Sequence, residues 1–452
     1  MKKLTGLQWF NLILFGLMGQ IAWAVENMYF NTFLYNSVYG GASQTTVDGA
    51  INVMDAISRM VAFSAVAAVV TTFIMGILSD RVNTRKWFIS IGYILWGIVT
   101  AAFSLISRDN VAALFHLSDE IKILNATVTA VIVMDCIMTF MGSTSNDSAF
   151  NAWVTDTSSS ENRATVESVL SLLPVFAMVI VMAMGGLVGS VGYPVFFASL
   201  GGFVSLCGIV GIFTIKDNRE GKAVSERQSF IKEFIYGFRP SVIKKNRGLY
   251  LSLLAIFIFN TAYQVFFPYI FIYLQHKLDF TMDKLIAGLT PITIVIGLIV
   301  VIAAVALIIS MGKLMDKFGK DKFIYISVAF FVIGLVITGF QKTLGGFAIG
   351  AAVTLIGYGL LMILLGASIR DFTPEDKTGM FQGIRMIFVV MLPMIIGPII
   401  GKEICRISEI TYTNEYGVVQ AAPGSVMFFA AAVVGIFILL PVAFLKKQGL
   451  KK

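Results

Sequence analysis

Gly76-Ile77-Leu78-Ser79-Asp80-Arg81-Val82-Asn83-Thr84-Arg85-Lys86 closes one long apolar run and opens another. The outline returns 236 residues later as Gly312-Lys313-Leu314-Met315-Asp316-Lys317-Phe318-Gly319-Lys320-Asp321-Lys322, an interval of about half the 452-residue chain. A basic hairpin between apolar runs, repeated at that spacing, predicts a membrane protein built from two related halves.

Composition supports a membrane setting. Hydrophobic residues make up 57% of the chain and charged residues only 13%, against about 25% charged in soluble proteins. The 41 glycines suit helices that pack closely in lipid. A net charge of +8 raises the question of nucleic acid. The basic residues are confined to loops between apolar segments, however, so they speak for membrane orientation and no nucleic-acid partner is expected. Cys136, Cys207 and Cys405 stand singly, without metal-ligand spacing, and read as apolar packing. His116 and His276 fall near span ends on the outer side, where a structural or surface role is expected. The first apolar run is too long for a cleaved signal peptide and reads as a retained anchor. With no Walker loop, metal cluster or nucleophile elbow, the sequence predicts neither an enzyme nor an ATP-driven pump, and no cofactor or metal.

A membrane helix needs about 20 apolar residues. By that measure twelve spans are expected, making an all-α integral membrane fold. Spans 1 to 6 run at about 8–36, 50–78, 87–106, 123–150, 163–190 and 193–214. Spans 7 to 12 run at about 248–275, 284–311, 322–341, 345–369, 378–401 and 424–445. With both termini cytoplasmic, inner segments hold 25 of the 34 basic residues and outer segments seven, which satisfies the positive-inside rule.

The only long charged segment, Lys216–Arg247, divides the spans six and six. The expected organisation is therefore a first half at 1–215, a cytoplasmic basic linker at 216–247 and a second half at 248–452. Within the linker, Phe230, Ile231, Phe234, Ile235 and Phe238 recur at helical spacing. They read either as a helix lying on the inner membrane face or as an apolar patch in a solvated linker. Duplication leaves a second trace. Asp156-Thr157-Ser158-Ser159-Ser160-Glu161-Asn162-Arg163 follows span 4, and Asp371-Phe372-Thr373-Pro374-Glu375-Asp376-Lys377 follows span 10, an offset of 215. The shortfall against 236 places extra sequence in the first half, mostly in the outer loop Ser107–Lys122.

Twelve spans in two pseudo-symmetric halves, with Gly-x-x-x-Asp-Arg-x-x-x-Arg-Lys between spans 2 and 3, resemble the major facilitator superfamily. Within it the chain looks like the glycoside–pentoside–hexuronide:cation symporters and the sucrose-transporter-type carriers. The residues behind that finer likeness are Gly16-Leu17-Met18-Gly19-Gln20-Ile21-Ala22-Trp23-Ala24-Val25-Glu26-Asn27 and Asn146-Asp147-Ser148-Ala149-Phe150-Asn151-Ala152-Trp153-Val154-Thr155-Asp156, with Asp371–Gly379. The resemblance implies secondary transport by alternating access, with spans 3, 6, 9 and 12 facing lipid. It also implies a conformational role for Asp80, Arg81, Arg85 and Asp316 of the paired hairpins. Sodium-coupled members carry paired aspartates in span 2. Here that stretch reads Ala68-Val69-Val70-Thr71-Thr72-Phe73-Ile74-Met75-Gly76, so H⁺ is the expected coupling ion.

A charge at mid-bilayer costs at least about 2.5–3.5 kcal/mol on insertion scales, which makes it a functional candidate. Spans 3, 6, 9 and 12 have no charge within their apolar cores, whereas spans 1, 2, 4, 5 and 11 do. Glu26 and Asp135 lie midway along spans 1 and 4. Either can exchange a proton as its surroundings alternate between wet and dry, or accept hydrogen bonds from sugar hydroxyls; the structural alternative is a partner for Arg or Asn. Asp55 and Arg59, four apart near the outer end of span 2, can pair as an outer gate or as a silent ion pair. Asp147 and Arg385 belong to opposite halves and are candidates for an inner gate, with substrate binding the alternative for Arg385.

Sugar sites combine aromatic faces with amides and carboxylates. Span 1 offers Gln20, Trp23, Glu26 and Asn27; span 7 offers Asn260, Tyr263 and Gln264 beside the helix-breaking Pro268; span 10 adds Tyr358. The sequence therefore predicts a monomeric plasma-membrane carrier, in contact with membrane lipids, that takes up a sugar or glycoside with a cation, H⁺ in the first instance. A proton-coupled exporter of a drug or metabolite, or a lipid-handling protein of the same fold, is the alternative.

Overall fold

The computed structural model describes residues 4–82, 84–158, 163–217, 237–280, 320–374, 381, 384–413 and 417–447, which are almost wholly helical. The chain forms two compact units. One comprises Met1–Glu226 with Thr413–Val419, the other Arg227–Tyr412 with Gln420–Lys452. Ten helices among the described residues are long and apolar enough to cross a membrane. They correspond to spans 1–4, 6, 7 and 9–12. Span 5 lies in the helical stretch Arg163–Thr214, which turns at Gly192 (φ 76°), a left-handed conformation suited to glycine. Span 8, Asp316 with most of the second hairpin copy, and the apolar stretch at 230–236 of the linker lie outside the described residues.

Local sequence explains where the helices begin and break. Thr5 and Gln8 form a reciprocal cap at the start of span 1, each side chain accepting the other's backbone N–H at 3.3 and 2.8 Å. Asp119 caps span 4 by accepting from the Lys122 amide at 3.0 Å. The outer loop before it is not plain coil. It holds the helix Arg108–Phe115, which ends on His116 in the left-handed conformation. Span 7 runs Arg247–Phe266, tightens to a 3-10 turn at Phe267–Tyr269 around Pro268, and resumes at Ile270–Lys277. Between spans 11 and 12 the chain makes a small hairpin, β1 (Thr411–Thr413) and β2 (Val419–Ala421), which an apolar-run reading does not anticipate.

Among the described residues, three spans contain π turns, in which the backbone bonds skip one residue further than in an α-helix. Span 1 has them at Glu26–Phe30 and Leu34–Val38, span 4 at Ser143–Phe150 and span 11 at Ile387–Met391. Such bulges collect at functional sites, and these bear Glu26, Asn27 and Asp147.

Packing within each unit relies on small residues and buried hydrogen bonds. Spans 3 and 6 come so close at Gly97 and Gly201 that a Cβ on either would lie 2.3 Å from the other's carbonyl oxygen. The Tyr93 hydroxyl donates to the Phe15 carbonyl at 2.6 Å and accepts from Asn146 at 2.7 Å, joining spans 1, 3 and 4. In the second unit, Ser252 and Ser368 share a 2.7 Å hydroxyl contact between spans 7 and 10. Tyr269 of span 7 donates to the Pro398 carbonyl of span 11 at 2.9 Å. Large apolar side chains are exposed along span 3 (Ile91, Leu95, Ile98), span 6 (Phe203, Leu206, Phe213), span 9 (Phe330, Ile333) and span 12 (Val433, Phe437, Leu440). In water these rows would be an aggregation hazard; in a bilayer they face lipid.

Candidate functional site

In the first unit one buried hydroxyl pair meets the carboxyl group of Glu26. Glu26 opens the first π turn of span 1 and is only 8% exposed. Its Oε1 accepts from Ser64 Oγ of span 2 at 2.7 Å and from Thr139 Oγ1 of span 4 at 3.1 Å. The two hydroxyl oxygens are themselves 2.8 Å apart. Asp135 is 2% exposed and sits four residues before Thr139, on the same face of span 4. Glu26 Oε2, Asp135 Oδ1 and Trp23 Nε1 have no hydrogen-bond partner among the described residues. Each such group costs about 1–3 kcal/mol when dry. The three belong to spans 1 and 4, on either side of the Ser64–Thr139 hydroxyl pair's bonds to Glu26 Oε1.

The other expected residues of span 1 divide. Gln20, Trp23 and Asn27 recur at steps of three and four and share a face. Trp23 packs its ring on Trp96, centroids 5.0 Å apart. Asn27 turns its amide back on the Trp23 carbonyl at 2.7 Å, satisfying a backbone group at the entry to the π turn. That bond is a local structural role. Asp147 accepts from Ser143 Oγ at 2.9 Å within its own π turn. Asp55 is half-buried in the first turn of the helix Val53–Arg81, and Arg59 is exposed one turn later.

In the second unit, Asn260 donates to the Val389 carbonyl in the π turn of span 11 at 2.8 Å. Tyr263 stacks on Phe267 at 4.5 Å and lies 5.1 Å from Tyr358 of span 10. The rings of Tyr263 and Tyr358 thus meet across spans 7 and 10, while the Asn260 amide turns to span 11. Gln264 is half-buried, and its Cβ is against Gly397 of span 11. Arg385 is half-buried near the start of span 11.

The hairpin after span 2 forms a second cluster. Arg85 is buried, donates Nη1 to Ser79 Oγ, and places Nε 3.4 Å from Asp156 Oδ2 at the end of span 4. Asp217, just past span 6, accepts from Thr84 Oγ1 at 2.6 Å and from the Arg85 and Lys86 amides at 2.8 and 3.0 Å. Trp153 Nε1 donates to the Lys216 carbonyl at 3.3 Å. The ends of spans 2, 3, 4 and 6 are therefore bound to one another through this hairpin. The side chains of Asp80 and Arg81 lie outside the described residues.

Four residues of these clusters escape a sequence reading: Ser64, Thr139, Asp156 in its role toward Arg85, and Asp217. Thr139 carries a faint signal, its four-residue spacing from Asp135. Isolated serines and threonines are common in membrane helices, and an aspartate 131 residues from the amide it caps has no local signature.

Comparison with known proteins places these observations in context. The profile described as Major Facilitator Superfamily matches residues 17–310 and 289–451. Among solved structures, the nucleoside transporter NupG aligns over 98% of this chain and 100% of its own, with a TM-score of 0.65 and 12% identity. The xylose transporter XylE from E. coli, in an inward-open conformation, aligns over 97% and 96%, with a TM-score of 0.64 and 12% identity. At that identity the likeness is one of fold. Among curated proteins, Multidrug resistance protein 3 of Bacillus subtilis (strain 168) is 32% identical over 93 residues, which is 21% of this chain and 18% of that protein's length.

Proposed function

The chain belongs to the Major Facilitator Superfamily, and from that premise we propose that it is a proton-coupled symporter of a sugar or glycoside, working by alternating access in the plasma membrane with both termini cytoplasmic. The observation that carries the reading is the Glu26–Asp135 pair. Two buried carboxyl groups on adjacent spans retain acceptor oxygens that no described residue fills. A proton meets one such acceptor, and a polyhydroxylated solute meets others with its O–H donors. Within the second unit, the paired rings of Tyr263 and Tyr358 support the sugar reading separately, since aromatic faces are what sugar rings pack on.

Proteoliposomes containing the purified protein, given an inward proton gradient and a panel of monosaccharides and glycosides, test the reading. Sugar-dependent alkalinisation outside, with accumulation inside, is the expected outcome. Counterflow of a sugar without any proton movement overturns the coupling, and no sugar response at all overturns the substrate class.

The likeness to a multidrug resistance protein over 93 residues favours one second reading, extrusion of a small organic compound by proton antiport. The same vesicles separate the two, because antiport moves solute and proton in opposite directions.

A further inference from the structure

Glu26 and Asp135 do not play equal parts. Two acidic groups confined together away from water cannot both ionise cheaply, since each negative charge opposes the other. Which one keeps the charge is decided by the donors aimed at it. Ser64 and Thr139 are almost fully buried, 3% and 0% exposed, and among the described residues their hydroxyl groups meet Glu26 Oε1 and each other. Asp135 accepts no hydrogen bond from a described residue, and its Oδ1 is dry. An anion needs donors supplied to it, whereas a protonated carboxyl carries its own.

We propose that Ser64 and Thr139 are positioning residues that hold Glu26 as the standing anion and so make Asp135 the carrier of the exchanged proton. The assignment rests on the proton-coupling reading above and divides its labour. Two other titratable groups act on the pair. One is Asp147, whose carboxylate already holds the Ser143 hydroxyl; the other is the Cys136 thiol, next to Asp135. Among the described residues no Lys, Arg or His acts on either carboxyl group. Protonation of Asp135 then takes the pair from two negative charges to the single one held on Glu26.

Infrared difference spectra of the purified full-length protein, recorded across a pH titration, test this without a known substrate. The protonated-carboxyl band is compared among wild type, Asp135→Asn, Glu26→Gln, the double variant Ser64→Ala/Thr139→Val and the conservative double variant Ser64→Thr/Thr139→Ser. Asp135→Asn should lose the component and Glu26→Gln should keep it. The Ala/Val variant should titrate about one pH unit higher, because Glu26 without its donors competes for the proton. The Thr/Ser variant should restore the wild-type midpoint, which a merely structural role for the hydroxyls would not do. Loss of the component in Glu26→Gln with retention in Asp135→Asn overturns the assignment. So does an Ala/Val variant that titrates as wild type, a result available even if Glu26→Gln fails to fold. Absence of proton-driven transport in vesicles, with the infrared pattern as expected, would instead overturn the coupling reading alone.

Discussion

Asp217 caps a helix to which it does not belong: its Oδ1 lies 2.8 Å from the Arg85 amide and 3.0 Å from the Lys86 amide, at the first turn of span 3. Helices ordinarily supply their own N-cap, and Arg85, which occupies that place here, makes no capping bond with its side chain. A carboxylate from the far end of span 6 fills the vacancy and faces the positive end of the span 3 dipole. Asp217→Ala should lower stability by about 1–2 kcal/mol, within the range for lost N-caps. Thermal unfolding in detergent reads the loss, and Asp217→Asn, which keeps an acceptor, should recover most of it.

Arg85 and Asp156 form a buried pair across the same hairpin. Removing one partner takes this contact from the other charge, so Arg85→Ala and Asp156→Ala should each cost up to about 3 kcal/mol. The double variant should cost less than the sum. A double-mutant cycle on unfolding midpoints measures the coupling, and Arg85→Lys should not rescue it, because lysine cannot reproduce the planar fork.

Gly97 and Gly201 admit no side chain without moving backbone. Gly97→Val should prise spans 3 and 6 apart and abolish the monodisperse folded species in size-exclusion chromatography. Gly202→Ala, next to Gly201 but facing open space, should behave as wild type.

Tyr263 and Tyr358 offer a graded test of the substrate surface proposed above. Tyr263→Phe preserves the stacked ring, while Tyr263→Ala removes it. An aromatic contact is worth about 0.5–1.5 kcal/mol, so the alanine variant should raise KM by roughly three- to tenfold, with the phenylalanine variant between. Uptake kinetics that leave KM unchanged in both would remove Tyr263 from the site.

Much of this architecture is legible in the amino-acid order because the bilayer enforces it. The turn between spans 5 and 6 at Gly192 and the break at Pro268 follow from length, glycine and proline. Tyr263 and Tyr358 are likewise visible as candidates, since aromatics deep in apolar helices stand out, and their rings meet. The hydroxyls that organise Glu26 do not stand out. Ser64 and Thr139 meet it across 38 and 113 residues of chain, and a Ser or Thr in a membrane helix more commonly bonds its own backbone. Thr127, Thr338 and Thr354 do just that. Only the approach of three spans distinguishes the exceptions.

The π turns also reset the helical wheel. Each inserts one residue into an otherwise regular spiral, which turns the remainder of its span by about 100° relative to an unbroken helix. On span 1 two insertions follow in succession, so Tyr35 and Val38 look in directions that a wheel drawn from Gly6 misassigns. Deleting one residue within 26–30 would leave a helix able to span the membrane while swinging its outer third onto a different set of neighbours. Cysteine-accessibility scans along spans 1, 4 and 11 should accordingly show their periodicity jump in phase at Glu26, Ser143 and Ile387, and relatives aligned to this chain will need single-residue gaps in the middle of membrane helices.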